Sequence, residues 1–102
     1  MRRLNFKAKY IAPILAGTKT TTLRAHTRVE VGDDVRFWCH YDRPPFAHAR
    51  VTGVDRVSVR DLTDRDARQD GFTDARELRA ALRQDYPDAT SMVVIRFRLV
   101  SS

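Results

Sequence analysis

The chain has a single cysteine among its 102 residues, which excludes a disulfide within the chain. A lone thiol, Cys39, is typical of proteins in a reducing compartment, so we expect a cytoplasmic protein. Long apolar runs are also missing. No stretch approaches the roughly 18 apolar residues of a membrane-spanning helix, and the first residues lack the apolar core of a signal peptide. We therefore expect no membrane association.

Several familiar site patterns are absent as well. The four glycines form neither a dinucleotide-binding fingerprint nor a P-loop. Cys39 and the histidines lack the spacing of metal ligands, and no serine stands in a nucleophile elbow. The sequence therefore predicts neither a metal nor a cofactor, and its patterns do not predict an oligomeric state.

Acidic residues are missing from the first 28 positions, which hold seven lysines and arginines. Residues 61–88 instead carry eight acidic and five basic side chains. The net charge of +6 is therefore segregated along the chain, which favours a polyanionic partner such as RNA.

Hydrophobic periodicity predicts the order strand, helix, three strands, two helices and a last strand. We expect Gly17 to end the first helix, a strand to run from Val35 to Tyr41, and Gly53 to break the strand 47–59. Thr63 and Thr73 are predicted to cap the two later helices. One α+β domain over residues 1–102 follows, with a mixed barrel or curved sheet flanked by helices.

The segment 17–24 reads Gly-Thr-Lys-Thr-Thr-Thr-Leu-Arg and joins a helix end to a strand. A threonine hydroxyl can attack a carbonyl when a nearby amine takes its proton, and burial can lower a lysine pKa enough for that role. The alternative is structural, because threonine favours strands and lysine favours sheet edges. Spacing alone does not decide between the two interpretations.

This segment resembles the signature of the ASCH domain family, in the pattern Gly17-x-Lys19-Thr20-x-Thr22-x-Arg24. Further similarity follows in order over nearly the whole chain, at 32–35, 61–63, 70–72, 86–87 and 94–97. The resemblance implies a PUA-like mixed β-barrel of about five to six strands with two or three helices. It also implies a role with RNA or a modified nucleoside.

Some small members of that family hydrolyse N(4)-acetylcytidine to cytidine and acetate. By motif position, the resemblance implies Thr22 as nucleophile, Lys19 as its base and Asp70 as general acid and base. Arg24 would hold a carboxylate or phosphate, with Thr20 beside it. Two features depart from that pattern: Asp70 replaces a glutamate that is one methylene longer, and Lys19 and Thr22 would point to opposite faces of a regular strand.

A second cluster requires no catalysis. Arg36, Trp38 and His40 alternate onto the polar face of their predicted strand. Basic and aromatic groups interleaved on a sheet favour single-stranded RNA, whose bases stack on aromatic rings. In the alternative interpretation Trp38 packs beneath a helix. A non-catalytic RNA-binding domain, a protein-interaction module and a ribonuclease remain alternatives to the amidohydrolase.

Overall fold

The computed structural model describes residues 2–40 and 42–100. Within these residues, five strands and three α-helices follow the predicted order. The strands are β1 (Arg2–Asn5), β2 (Thr21–Arg24), β3 (Asp34–Trp38), β4 (Ala47–Ser58) and β5 (Ser91–Leu99), and the helices are α1 (Ile11–Ala16), α2 (Asp64–Gln69) and α3 (Ala75–Asp85). Short 3₁₀ turns precede α1 and follow β4.

The strands form one mixed sheet in the order β1-β3-β4-β5-β2. The β1–β3 pair is parallel, and the other neighbouring pairs are antiparallel. The predicted α+β composition is therefore confirmed, but the predicted barrel is not. In the described part of the chain no strand ladder joins the edge strands β1 and β2, so the sheet stays open between them.

Two apolar cores lie on opposite faces of the sheet. One contains Phe6, Phe37, Ile95 and their neighbours, and Ile14 of α1 packs into it. The other joins Leu23 and Val94 of the sheet to α2 and α3. In β5, residues 93, 95 and 97 belong to the first core and residues 92 and 94 to the second, which is the alternation of a strand buried on both faces.

Local sequence signals explain several element boundaries. Gly17 ends α1 in the left-handed conformation, at φ 81°, which glycine adopts without a steric cost. The register of β4 shifts between Val51 and Gly53, as predicted. Thr63 and Asp66 form a reciprocal capping box at the start of α2, which satisfies two main-chain N–H groups.

Two boundaries differ from the prediction. β3 ends at Trp38 rather than continuing through Cys39, because the chain turns there and the N–H of Arg43 donates to the carbonyl of His40. Tyr41 lies outside the described residues. Asp74, not Thr73, caps α3, since its carboxylate accepts from the N–H of Glu77.

Candidate active site

A cavity of about 140 Å³ lies where the sheet is open, between the end of β1, strand β2 and helix α3. An engineered cavity of about 150 Å³ holds a benzene ring, so this one accepts a group of that size. Its lining includes Lys19, Thr22, Arg24 and Asp70, together with the aromatic rings of Tyr10, Phe72 and Tyr86. The three residues proposed from the sequence as catalytic, Lys19, Thr22 and Asp70, therefore border one cavity.

Lys19 lies just before β2, outside the regular ladder. Its main chain forms an isolated bridge with Asp70, and its side chain is only 3% exposed. The ammonium donates to the carbonyl oxygen of Asp70 at 3.0 Å and to Oδ1 of the same residue at 3.2 Å. Nζ also lies 4.8 Å from the centre of the Tyr10 ring, where a cation is attracted to the π face.

The short side chain of Asp70 reaches Lys19 because the two main chains are close. Asp70 ends α2, and Gly71 follows in the left-handed conformation, at φ +91°. A β-carbon placed on Gly71 would lie 3.4 Å from Cβ of Lys19, in van der Waals contact with the lysine. The close approach brings an aspartate carboxylate into direct contact with the ammonium.

Burial shifts both groups of this ion pair towards their neutral forms. Desolvation lowers the pKa of Lys19, opposed by the attraction of Asp70. Desolvation likewise raises the pKa of Asp70, opposed by Lys19, by the Thr21 hydroxyl and by Arg24. A lysine that loses its proton readily can act as a base, and an aspartic acid that keeps its proton can act as an acid.

Thr22 reaches the cavity from within β2 and is 5% exposed. Nε of Arg24 donates to Oγ1 of Thr22 at 3.1 Å, and another guanidinium N–H donates to the carbonyl of Asn5 at 2.8 Å. Arg24 therefore connects the two open edges of the sheet, and its positively charged guanidinium contacts the Thr22 hydroxyl. Its guanidinium carbon lies 5.0 Å from the centre of the Phe6 ring.

The ammonium of Lys19, which precedes the paired residues of β2, shares Oδ1 of Asp70 with the hydroxyl of Thr21. Lys19 and Thr22 both line the cavity. The two groups are not hydrogen bonded to each other. The ammonium is held by Asp70, and the hydroxyl of Thr22 is held by Arg24.

The ASCH domain family model matches residues 2–101. The chain belongs to the ASCH domain family. A relative from Citrobacter koseri, named N(4)-acetylcytidine amidohydrolase, is 34% identical over 97 residues, which cover 93% of each chain. A relative of the same name from Haemophilus influenzae is 32% identical over 100 residues, covering 96% of this chain and 95% of its own.

Solved structures of similar fold are more distant in sequence. An ASCH domain from Lactobacillus crispatus superposes with a TM-score of 0.82 at 14% identity, over 96% of this chain and 78% of its own. ASCH from Zymomonas mobilis gives a TM-score of 0.75 at 12% identity, over 94% of this chain and 65% of its own. These likenesses support the fold of the present ASCH domain.

The other residues predicted to bind substrate or RNA lie outside the cavity. Thr20 is exposed, and its hydroxyl contacts the carbonyl of Gln69 at 3.4 Å. Arg36 is exposed on the face of β3 opposite the first core, and His40 is exposed beyond the end of β3. Trp38 is half-buried, with the Arg3 guanidinium 5.9 Å from the centre of its indole ring. The structure thus separates these side chains from Lys19, Thr22 and Asp70.

Sequence reasoning missed the aromatic lining and one polar contact of this ASCH domain. Tyr86 belongs to the 86–87 part of the resemblance, which assigns it no role, yet it lines the cavity beside Asp85. Thr21 was not assigned a role, yet its buried hydroxyl donates to Oδ1 of Asp70 at 3.0 Å. The run of three threonines was the available signal, but it does not reveal which hydroxyl meets a carboxylate 49 residues away.

Within residues 2–40 and 42–100, no group of three or more histidine, cysteine or acidic side chains is arranged to hold a metal ion. Over the same residues, none of the helices has the length and apolar character needed to cross a bilayer.

Proposed function

We propose that this ASCH domain hydrolyses the acyl amide of N(4)-acetylcytidine, or a closely similar N-acylated cytidine, in the cavity beside β2. One observation carries the proposal: a buried lysine–aspartate pair and a threonine hydroxyl held by arginine border the same cavity. The names of the relatives that match almost the whole chain support the choice of substrate.

In the first step the Thr22 oxygen attacks the acetyl carbonyl carbon, and its proton passes to neutral Lys19. Lys19 must leave its contact with Asp70 to approach Thr22, and a rotation of its flexible side chain supplies that movement. Hydrogen bonds of catalytic groups are often long before substrate binds and shorten in the complex. The positive charges of Arg24 and protonated Lys19 stabilise the oxyanion that forms.

The second step breaks the bond between the carbonyl carbon and N4. Asp70 donates its proton to N4, the bonding electrons stay on that nitrogen, and cytidine leaves. An acetyl ester remains on Thr22. Asp70, now ionised, takes a proton from a water molecule that attacks the ester. The ammonium of Lys19 returns its proton to the Thr22 oxygen as the ester bond breaks, and the acetic acid that departs ionises to acetate in solvent. Each proton has a named donor and acceptor, and a bound metal ion is not required.

The size and lining of the cavity support a small substrate. A volume of about 140 Å³ admits a single ring, so the cavity would hold the base of the nucleoside. Tyr10, Phe72 and Tyr86 offer aromatic faces on which a pyrimidine can stack. A protein-interaction module, by contrast, would be recognised by an exposed apolar surface and needs no polar cavity.

Incubation with N(4)-acetylcytidine, followed by chromatography for cytidine, tests the proposal. We expect turnover by the wild-type protein and loss of at least about 100-fold in kcat/KM for Lys19→Ala, as for removal of a general base. Arg76→Ala, an exposed change on α3, is the matched control and should retain full activity. Turnover by Lys19→Ala at the control rate would refute the mechanism.

A second candidate function is the binding of single-stranded RNA. It is favoured by the strand register on the face of the sheet opposite the first core. Arg3, Arg36 and His48 are cross-strand partners in one row, and Asp34, Arg50 and Arg98 in the next. All six are exposed, and Asp34 forms an ion pair of 3.0 Å with Arg50. These rows would extend the predicted site of Arg36, Trp38 and His40 across neighbouring strands.

Titration of a labelled single-stranded RNA oligomer would test this second function. The double variant Arg36→Gln with Arg98→Gln should bind more weakly and with a smaller salt dependence. A protein that contacts fewer phosphates releases fewer counterions when it binds. Arg68→Gln with Arg76→Gln on the helices is the matched control. Equal affinity for both double variants would contradict binding at this face, and unchanged affinity of Trp38→Ala would exclude stacking.

A further inference from the structure

Thr21 is buried, at 2% exposure, and its side chain lies on the opposite side of β2 from Thr22. Burying a hydroxyl is unfavourable unless it is hydrogen bonded, and valine would fill the same space in a strand. The Thr21 hydroxyl donates to Oδ1 of Asp70 at 3.0 Å. The contact with Asp70 therefore explains why a hydroxyl, rather than a methyl group, occupies this buried position.

The two oxygens of the Asp70 carboxylate have different surroundings. Oδ1 accepts from the ammonium of Lys19 at 3.2 Å and from the Thr21 hydroxyl at 3.0 Å. Oδ2 accepts no hydrogen bond from any described residue. Among those residues no fully enclosed side-chain oxygen lacks a partner, so Oδ2 is open to the cavity that Asp70 lines.

We propose that Thr21 is a positioning residue that holds Oδ1 of Asp70 so that Oδ2 exchanges the proton with the substrate. The inference rests on the proposed hydrolysis at this site. With Oδ1 already accepting two hydrogen bonds, the proton of the acid form resides on Oδ2. As the carbonyl carbon–N4 bond breaks, that proton moves to N4 with the bonding electrons already there. The negative charge left on Asp70 is then stabilised by the Thr21 hydroxyl, which stays in place when Lys19 moves towards Thr22.

The groups that bear on the titration of Asp70 come from two places. Lys19 faces it from the segment before β2, and Arg24 faces it from β2. Tyr86, at the end of α3, favours the charged form of Arg24 and has no direct effect on the pKa of Asp70. Thr21 adds the neutral donor that favours the ionised carboxylate. Its removal should therefore make Asp70 harder to ionise without changing the charges around it.

The test compares Thr21→Val with Thr21→Ser, and uses Thr52→Val, at an exposed threonine of β4, as the control. Carbon-13 NMR of the Asp70 carboxyl group follows its titration without substrate, and the pH profile of kcat/KM follows it during hydrolysis. We expect Thr21→Val to raise the pKa of Asp70 and move the acid limb of the profile to higher pH. Its maximal kcat/KM should fall about tenfold, the value of one hydrogen bond to a charged group.

Thr21→Ser keeps a hydroxyl at the same position and should restore both the titration and the rate. A merely structural role predicts lower thermal stability of Thr21→Val with an unmoved titration and pH profile, and that result would overturn the inference. If Thr21→Val does not fold, Thr21→Ser must instead match the wild type in both readouts, and a shifted titration would count against the proposal. Absence of hydrolysis by the wild-type protein refutes the proposed function, whereas normal hydrolysis with no effect of Thr21→Val refutes this inference alone.

Discussion

The ammonium of Lys19 lies 3.2 Å from Oδ1 of Asp70, and both side chains are almost completely buried. A second ion pair, between Lys7 and Asp85, has a similar separation of 3.3 Å but is exposed. Removing one partner of a buried pair leaves an uncompensated charge, whereas water solvates an exposed one. These two pairs therefore separate the effect of burial from that of charge.

We predict that Lys19→Met lowers the free energy of unfolding by about 3–5 kcal/mol at neutral pH, because Asp70 loses its partner. Lys7→Met should change it by less than about 1 kcal/mol. Chemical denaturation of both variants measures the difference. Equal destabilisation of the two would contradict the structure.

The loss in Lys19→Met should diminish in acid. Burial raises the pKa of Asp70 above its ordinary value of 3.8, so the folded state binds a proton at a pH where the unfolded chain does not. Stability therefore increases as the pH falls through the folded pKa towards 3.8. Repeating the denaturation across this range should show a shrinking gap to the wild type, and a gap that widens would count against a buried carboxylate.

The rate of hydrolysis should have a bell-shaped dependence on pH. The active pair carries one proton: a second proton blocks Lys19 as a base, and loss of the first leaves Asp70 without a proton to donate. Because burial raises the pKa of Asp70 and lowers the pKa of Lys19, the acid limb should lie above pH 3.8 and the alkaline limb below pH 10.5. The measurement is a profile of kcat/KM against pH, corrected for spontaneous hydrolysis. A rate that rises steadily with pH would contradict this prediction.

Gly71 and Gly32 provide a matched pair for the approach to Lys19. Both have positive φ angles, +91° and +93°, so alanine should cost either position about 1 kcal/mol in stability. At Gly71 the added carbon would also lie 3.4 Å from Cβ of Lys19, whereas at Gly32 it meets open space. We expect Gly71→Ala alone to lose hydrolytic activity, several-fold. Equal activity of the two variants would mean that this approach does not position Lys19.

Much of the fold could be predicted because its signals are local. The cap formed by Thr63 and Asp66 and the turn at Gly17 depend on residues within one helical turn. The end of β3 depends on the turn at His40, and the choice of Asp74 over Thr73 depends on side-chain geometry. Neither is encoded in the hydrophobic pattern.

The opening of the sheet between β1 and β2 could not be predicted from the sequence either. A strand pattern identifies β1 and β2 as strands, but closure depends on whether their edges meet across the whole ladder. Here Arg24 of β2 reaches across to β1 and donates to the carbonyl of Asn5. The gap that results is where the cavity forms.

At the site, the motif placed Lys19 and Thr22 together, and Asp70 followed from its position in the resemblance. The hydrogen bond of Thr21 could not be predicted, because its partner is distant in the sequence. For Arg36, the alternation of β3 gave the correct face of the sheet but not its distance from the cavity. Periodicity determines which way a side chain points, and only the assembled sheet determines what it meets.

Attack by the Thr22 hydroxyl from the cavity is the claim on which the account depends, and trapping the acyl-enzyme tests it most directly. The protein is mixed with N(4)-acetylcytidine, quenched in acid within one turnover and analysed by peptide mass spectrometry. We predict an acetyl group on Thr22 of the wild-type protein and none on that peptide in Thr22→Ala, which should not form cytidine. Cytidine formation by Thr22→Ala at the wild-type rate, with Thr22 of the wild type never acetylated, would contradict the account.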